Sequence, residues 1–294
     1  MKNRDAFSSY HPLVNALYFG LVLVCSMSFL HPVCLVISFV SALMYSIYLN
    51  GRKAVRFALL FMLPVFLIAA LMNPAFSHEG ATILTYLPSG NPLTLESILY
   101  GLAAAAMLVT VILWFSCYNA VMTTDKFLYL FGRVIPSLSL LLSMTLRFVP
   151  QFKTQLQVVS DAQKCLGRDV SKVGVAARVR NGITILSILV TWTLEGAIET
   201  ADSMKSRGYG LPGRTAFSLY KFDQRDQTAL IYLLLSGAFV LTGACFGGLR
   251  WRYYPTLQGV AFGAFPVSIF LCYLALCLMP IIINVREDRT WKAM

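Results

Sequence analysis

SILYGLAAAAMLVTVILWFSCYNAVM, residues Ser97–Met122, runs its whole length without a charged side chain. As a helix rising ~1.5 Å per residue it would be about 39 Å long, more than the ~30 Å hydrocarbon core of a bilayer demands. Comparable apolar windows flank it on both sides, at Leu13–Leu30, Val33–Leu49, Phe57–Met72, Ala229–Leu249 and Gly259–Ile283. The sequence therefore predicts an all-α, polytopic membrane protein with about six transmembrane helices. Composition agrees: 57% hydrophobic and 13% charged residues, with a mean hydropathy of +0.69, do not describe a water-soluble domain. The polar opening MKNRDAFSSYHP has no cleavage site behind it, so the first helix is expected to stay.

The net charge of +11 reads as basic loops facing acidic lipid or partners, and no nucleic-acid partner is expected. Lys2, Arg4, Arg52, Lys53, Arg56, Lys126, Arg133, Lys221, Arg225, Arg286, Arg289 and Lys292 share one side if there are six crossings. Only Arg250 and Arg252 fall on the other, and the Asn73–Leu95 connection has no basic residue. The bias toward basic residues inside places both termini in the cytoplasm of a multi-pass protein of the plasma (inner) membrane. Three regions result: four spans in 1–122, a cytoplasmic or interfacial segment in 123–227, and two spans in 228–294. Fourteen of the 24 basic residues sit in the middle region. Its runs RVIPSLSLLLSMTLRFVP and ITILSILVTWTL are too apolar for a surface loop, and read as helices at the membrane boundary.

Two helical stripes organise that region. Phe152, Leu156, Val159, Ala162 and Leu166 lead to Gly167. Ile183, Leu186, Val190, Leu194, Ala197, Ala201 and Met204 lead to Arg207 and Gly208, with Trp192, Glu195, Glu199 and Asp202 opposite. Arg207 falls in the last turn, where the helix dipole favours a cation. Flanked by Ser206 and Gly208, its guanidinium is also unshielded and free to fork onto a carboxylate.

These residues resemble the transmembrane T component of energy-coupling factor (ECF) transporters. The likeness rests on Arg147-Phe148-Val149-Pro150, on Ala162-Gln163-Lys164-Cys165-Leu166-Gly167, and on Ser203-Met204-Lys205-Ser206-Arg207-Gly208-Tyr209. Its specific part covers Leu146–Gly210. Leu166 stands where the family's first motif has arginine, with Arg168 displaced past the glycine, and Ser203 replaces an alanine. The resemblance implies a non-catalytic coupling scaffold for uptake of vitamins or transition-metal ions. Ala162, Gln163, Gly167, Arg168, Ala201, Met204, Ser206, Arg207, Gly208 and Tyr209 would dock on a cytoplasmic pair of ABC-type ATPases, and a separate membrane S component would capture the substrate.

Other functions find less support in the residues. The Gly-Lys of a phosphate-binding loop never occurs, so ATP hydrolysis is expected in other chains. A secondary transporter would place ionisable groups inside its spans, and the six windows hold no Asp, Glu, Lys, Arg or His. A prenyl-transferase-like enzyme would need paired acidic motifs for magnesium. Asp125, Asp161, Asp169, Asp223 and Asp226 are scattered, and Asp223-Gln-Arg-Asp226 reads as loop solvation. His11, His31 and His78 lack ligand spacing. The seven cysteines form no C-x-x-C pair and read mostly as small buried residues, Cys165 lying in a polar segment. No cofactor or metal is expected. Gly101, Ala103–Ala106 and Gly243–Gly248 offer small surfaces for close helix packing.

Overall fold

A computed structural model describes residues 5–77, 79–86, 92–168, 174–212, 220–259 and 263–293. Lys2, Arg4, His78 and Asp169, named above, lie outside the described residues. The chain is nearly all helical and separates into two units, Met1–Phe127 with Tyr220–Met294, and Leu128–Leu219.

In the first unit a short 3-10 turn, Phe7–Ser9, precedes helix α1, Pro12–Ser28, and α2, Pro32–Asn50. Each of these helices starts the same way. His11 Nδ1 accepts from the Leu13 N–H at 3.2 Å, and His31 Nδ1 from the Val33 N–H at 3.2 Å, while proline takes the first helical position, where no N–H is needed. The two histidines are helix caps. Gly51, with φ 55°, turns the chain into α3, Arg52–Phe76. A wide π turn at Ala58–Met62 sits just ahead of Pro64, whose missing N–H interrupts the ordinary ladder.

The connection to α4, Leu95–Val121, contains an unforeseen hairpin of β1, Ile83–Tyr86, and β2, Pro92–Thr94, registered Ile83 to Thr94 and Tyr86 to Pro92. After the second unit come α8, Gln224–Cys245, a minimal hairpin of β3, Trp251–Arg252, and β4, Gln258–Gly259, and the terminal α9, Ala264–Ala293. The second unit is built from α6, Pro136–Cys165, and α7, Val175–Ser206, with α5, Thr124–Val134, leading in.

Six of these helices are long and apolar enough to cross a membrane: Pro32–Asn50, Arg52–Phe76, Leu95–Val121, Val175–Ser206, Gln224–Cys245 and Ala264–Thr290. The number matches the expectation but the membership differs. Pro12–Ser28 is a shorter apolar helix, and Val175–Ser206 qualifies by length and composition.

An aromatic core joins α1, α2, α4 and α9. Tyr18, Phe19 and Trp114 are fully enclosed, with edge-on ring distances of 6.1 Å and 6.5 Å to Trp114. The core's polar atoms are paired: Trp114 Nε1–H donates to Ser38 Oγ at 2.9 Å, Ser38 Oγ lies 2.8 Å from Ser26 Oγ, and the Tyr18 hydroxyl donates to the Cys277 carbonyl at 3.0 Å. Satisfying each group internally is what lets them sit at this depth. Cys25, Cys34, Cys117 and Cys277 are buried and reduced, whereas Cys245, at the end of α8, is exposed with Cys165.

The small-residue surfaces divide by position. A Cβ on Gly101 would lie 2.7 Å from the Ala70 carbonyl oxygen, and one on Gly243 2.6 Å from Ile269 Cδ1, so both mark close helix crossings. Gly247, φ 81°, instead ends α8: the Gly248 N–H reaches the Gly243 carbonyl at 3.1 Å. Gly101→Ala is accordingly expected to destabilise the protein by about 1–3 kcal/mol through backbone overpacking, read as a lowered Tm in detergent; an unchanged Tm would contradict this crossing.

Candidate docking site

Within the second unit, α6 and α7 meet at Val159, Ile185 and Leu189. Val159 and Gln163, one turn apart, are the buried positions near the end of α6, and on α7 Trp192, Gly196 and Thr200 continue the Ile185–Leu189 face as half-buried positions. The predicted apolar stripes are largely not the packed faces. Leu194 is 61% exposed and Leu166 70% exposed, so these apolar positions remain uncovered in the isolated chain. From Leu189 to Arg207 is ~27 Å of helix, against ~12 Å from Val159 to Gly167. The second arm is more than twice as long as the first beyond the crossing.

Both arms end in the same backbone motif. At the end of α6, Gly167 has φ 76°, its N–H donates to the Lys164 carbonyl at 3.0 Å, and the Arg168 N–H reaches back to the Gln163 carbonyl at 2.9 Å. On α7, Gly208 has φ 75°, its N–H donates to the Lys205 carbonyl at 3.0 Å, and the Tyr209 N–H reaches the Met204 carbonyl at 3.0 Å. These paired bonds are the Schellman closure that a left-handed glycine permits. Superposing the closures aligns Leu166 with Arg207 and Arg168 with Tyr209. The arginine of the first tip is therefore displaced by two positions, across a chain reversal, and no longer belongs to the helix.

The side chains differ accordingly. Arg207 is the C-cap residue, exposed and without a salt bridge among the described residues. Ala201, Ser206 and Tyr209 are exposed, and Met204 and Gly208 half-buried. Ser206 Oγ–H donates to the Ser203 carbonyl at 2.9 Å, so its small side chain lies against its own helix. On the first tip Ala162, Gly167 and Arg168 are exposed, while Gln163 is buried with Oε1 unpaired. Lys164 pairs with Asp161 at 2.9 Å. The ten residues thus form two separate tips, one cationic at its cap and one apolar there.

Sequence reasoning missed a polar assembly in the first unit. Lys126, read as a cytosolic basic residue, is buried and donates to the Ser8 carbonyl and to the Val121 carbonyl at 3.1 Å. With the Asn15 amide turned to suit, its oxygen accepts from Lys126 Nζ at 3.0 Å and its nitrogen donates to the Phe7 carbonyl at 3.1 Å. Burial lowers the Lys126 pKa, and Asp5 opposes the shift. Asp223-Gln-Arg-Asp226 is a capping box instead of a solvated loop, with Asp226 buried and accepting from the His11 N–H at 2.9 Å. Residues 8–11 thereby hold the chain at Lys126 and at Asp226, close to where the second unit begins and ends in sequence. The local signal was faint: Asp at the first and fourth positions is a helix-start pattern, whereas Lys126 gave none. Among the described residues no cluster of His, Cys, Asp or Glu could hold a metal ion.

The CbiQ family, described as cobalt transport protein, matches residues 9–217. The chain belongs to the CbiQ family. The match takes in both helix tips and stops before α8. Several proteins similar to this CbiQ-family chain are named energy-coupling factor transporter transmembrane protein EcfT. One from Staphylococcus aureus is 28% identical over 182 residues, 58% of this chain and 67% of its own length. Another, from Streptococcus equi subsp. equi, is 27% identical over 221 residues, 70% and 77% of the two chains. A third, from Lactobacillus helveticus, is 32% identical over 111 residues, 37% of this chain and 40% of that protein. CbiQ membership agrees with the resemblance carried by the two motifs.

Proposed function

We propose that this chain is the transmembrane coupling subunit of an ECF-type importer. Its two helix tips dock on a pair of cytoplasmic ABC-type ATPases, its membrane face holds a separate substrate-capture S component, and the cargo is a vitamin or a transition-metal ion. The observation that carries the reading is the second tip: an exposed arginine at the cap of a 32-residue helix, set against a left-handed glycine, with no carboxylate of its own chain paired to it among the described residues. The exposed apolar positions along α7 supply a second surface, suited to a partner that slides or packs against the arm. In this reading the chain itself is not an enzyme. Purified alone, it is expected to hydrolyse no ATP; turnover that scales with this chain after further purification would contradict the scaffold.

Topology follows from the basic-residue bias. Regions 1–122 and 228–294 hold the spans, and 123–227, α7 included, lies on the cytoplasmic side with both termini. Were α7 a crossing as well, the two sides could not keep their charge difference. In a cysteine-free background, a cysteine at Thr85, exposed in β1, is expected to react with an impermeant thiol reagent on whole cells. One at Lys205, exposed on the α7 tip, is expected not to react until the membrane is opened. Labelling at Lys205 and not at Thr85 would invert the arrangement. The partners themselves are tested by isolating the full chain from its native membrane and identifying what comes with it. Recovery of P-loop ATPases together with a small membrane protein is expected, and recovery of the chain free of any ATPase would contradict the assignment.

A further inference from the structure

Within the first unit, the start of α8 and the end of α9 frame a basic cleft. A cavity of about 500 Å³ is lined by Tyr10, Arg225, Thr228, Arg286, Glu287 and Thr290. A second, of about 530 Å³, shares Arg286 and Thr290 and adds Arg289 together with Ile281, Ile282 and Val285. The two form one seam, polar at the start of α8 and at Arg286–Thr290 and apolar at Ile281, Ile282 and Val285, just before them on a helix long enough to cross a membrane.

Charge in the seam is one-sided. Arg225, Arg286 and Arg289 are exposed and make no salt bridge among the described residues; Glu287 is the one carboxylate in the cavity linings, and Asp288, next to Arg289, accepts from the Tyr48 hydroxyl at 3.2 Å. Neighbouring Asp226 is held apart from them, its oxygens accepting from the His11 N–H at 2.9 Å and the Asp223 N–H at 3.1 Å, and offsets part of their charge from outside the cavity lining. Arg225 lines the cavity beside Tyr10; at the Tyr10 hydroxyl burial raises the pKa, Arg225 and Arg286 oppose it, and Glu287 and Asp226 add to it. Guanidinium groups match phosphate oxygens in geometry as well as in charge.

The threonines specify more. Thr228 Oγ1–H donates to the Arg225 carbonyl at 2.9 Å, and Thr290 Oγ1–H to the Arg286 carbonyl at 2.8 Å. Each hydroxyl proton is thus committed, and what faces outward is acceptor lone pairs, to which Glu287 adds two carboxylate oxygens. A ligand with an anionic centre and hydroxyl donors fits this arrangement. The apolar wall adds a third requirement: Ile282 is 55% and Val285 41% exposed, and a water-soluble anion would leave both uncovered.

We propose that this seam binds an anionic phospholipid with a hydroxylated headgroup, of the phosphatidylglycerol type, from the leaflet in which α9 ends. The phosphate lies among Arg225, Arg286 and Arg289, the headgroup hydroxyls donate to Thr228, Thr290 and Glu287, and the upper acyl chain covers Ile282 and Val285. Basic pockets between membrane helices are known to select acidic lipids in this manner. The inference rests on the membrane-spanning reading of α9 and not on ATPase docking, so it stands or falls separately from the coupling role.

The test uses the full-length chain in detergent. Phosphatidylglycerol is titrated against phosphatidylcholine, glycerophosphoglycerol and inorganic phosphate, with retained lipid read by native mass spectrometry. Wild-type protein is expected to retain phosphatidylglycerol selectively. The R225Q/R286Q/R289Q variant is expected to lose about a hundredfold in affinity, at roughly fivefold per arginine, while R250Q/R252Q keeps wild-type affinity. Ile282→Ser with Val285→Ser is expected to weaken the intact lipid alone, and thermal unfolding confirms that each variant is folded. Equal retention by the triple variant, equal binding of phosphatidylcholine, or full competition by glycerophosphoglycerol or inorganic phosphate at the lipid's own concentration would overturn the proposal.

Discussion

Arg207→Ala is expected to weaken association with the ATPase partners by about 2–5 kcal/mol, which is roughly thirty-fold to several-thousand-fold in Kd. The size follows from what the guanidinium would do in a groove: forked onto a desolvated carboxylate, its removal leaves that carboxylate buried and unpaired. The competing explanation is that Arg207 merely complements the helix dipole, a contribution of about 0.3–1 kcal/mol to folding. The backbone argues against a need for that. The carbonyls of Met204 and Lys205 are already taken by the N–H groups of Tyr209 and Gly208, so the helix end closes without the arginine. Fold stability of Arg207→Ala should therefore change by under ~1 kcal/mol while partner binding collapses. Lys205→Ala, a nearby loss of the same charge, controls for long-range electrostatics. Arg168→Ala should cost under ~1 kcal/mol of association, as for a screened surface pair, because the left-handed Gly167 carries it off the helix. Pull-downs with each single variant measure all three. Equal losses for Arg168 and Arg207 would contradict the asymmetry.

Lys126→Met should be the most damaging single change to the fold near the second unit. Lys126 is 5% exposed, and its ammonium supplies hydrogen bonds to three acceptors: the Ser8 and Val121 carbonyls and the Asn15 amide oxygen. Methionine fills much the same volume but donates nothing, so two buried acceptors and one half-buried one lose their donor, at about 1–3 kcal/mol for each buried group before relaxation. A net loss of about 3 kcal/mol or more is expected, read as a large fall in Tm and as proteolytic sensitivity of the first ten residues. Lys126→Arg should recover part of the loss. A Tm within error of wild type for Lys126→Met would mean that the lysine is not the fastening it is taken for.

The spans were legible because a bilayer imposes a simple demand, long runs in which every backbone group pairs within its own helix, and Ser97–Met122 meets it openly. Their ends were read less well. Gly247 looks like a packing glycine until its positive φ and the bond from Gly248 to the Gly243 carbonyl show it closing α8, while Gly248 packs closely against Ile269 and Phe265 as well. The two tips were visible because glycine and arginine punctuate a helix locally. Which face of α6 and α7 packs was not: Gln163, Ile185 and Leu189 are buried with Val159, the one buried member of the stripes, while the rest of those apolar positions are not buried, since periodicity records every apolar face and not which one this chain covers itself. The burial of Lys126 went unforeseen, and Asp226 was misread, for a different reason. Their partners Ser8 and His11 lie 118 and 215 residues away in sequence, and no local pattern announces a contact of that span.

The central claim is that the tip ending at Arg207 seats an ATP-hydrolysing partner. The most direct measurement places a photo-crosslinking residue at Ser206, exposed on that tip, in the full-length chain in its native membrane, with the same residue at Thr85 as the control. The expected result is a light-dependent adduct at Ser206, absent at Thr85, whose second component is by mass spectrometry a protein with a phosphate-binding loop. Adducts to lipid or to membrane proteins alone, with no such ATPase captured, would contradict the claim.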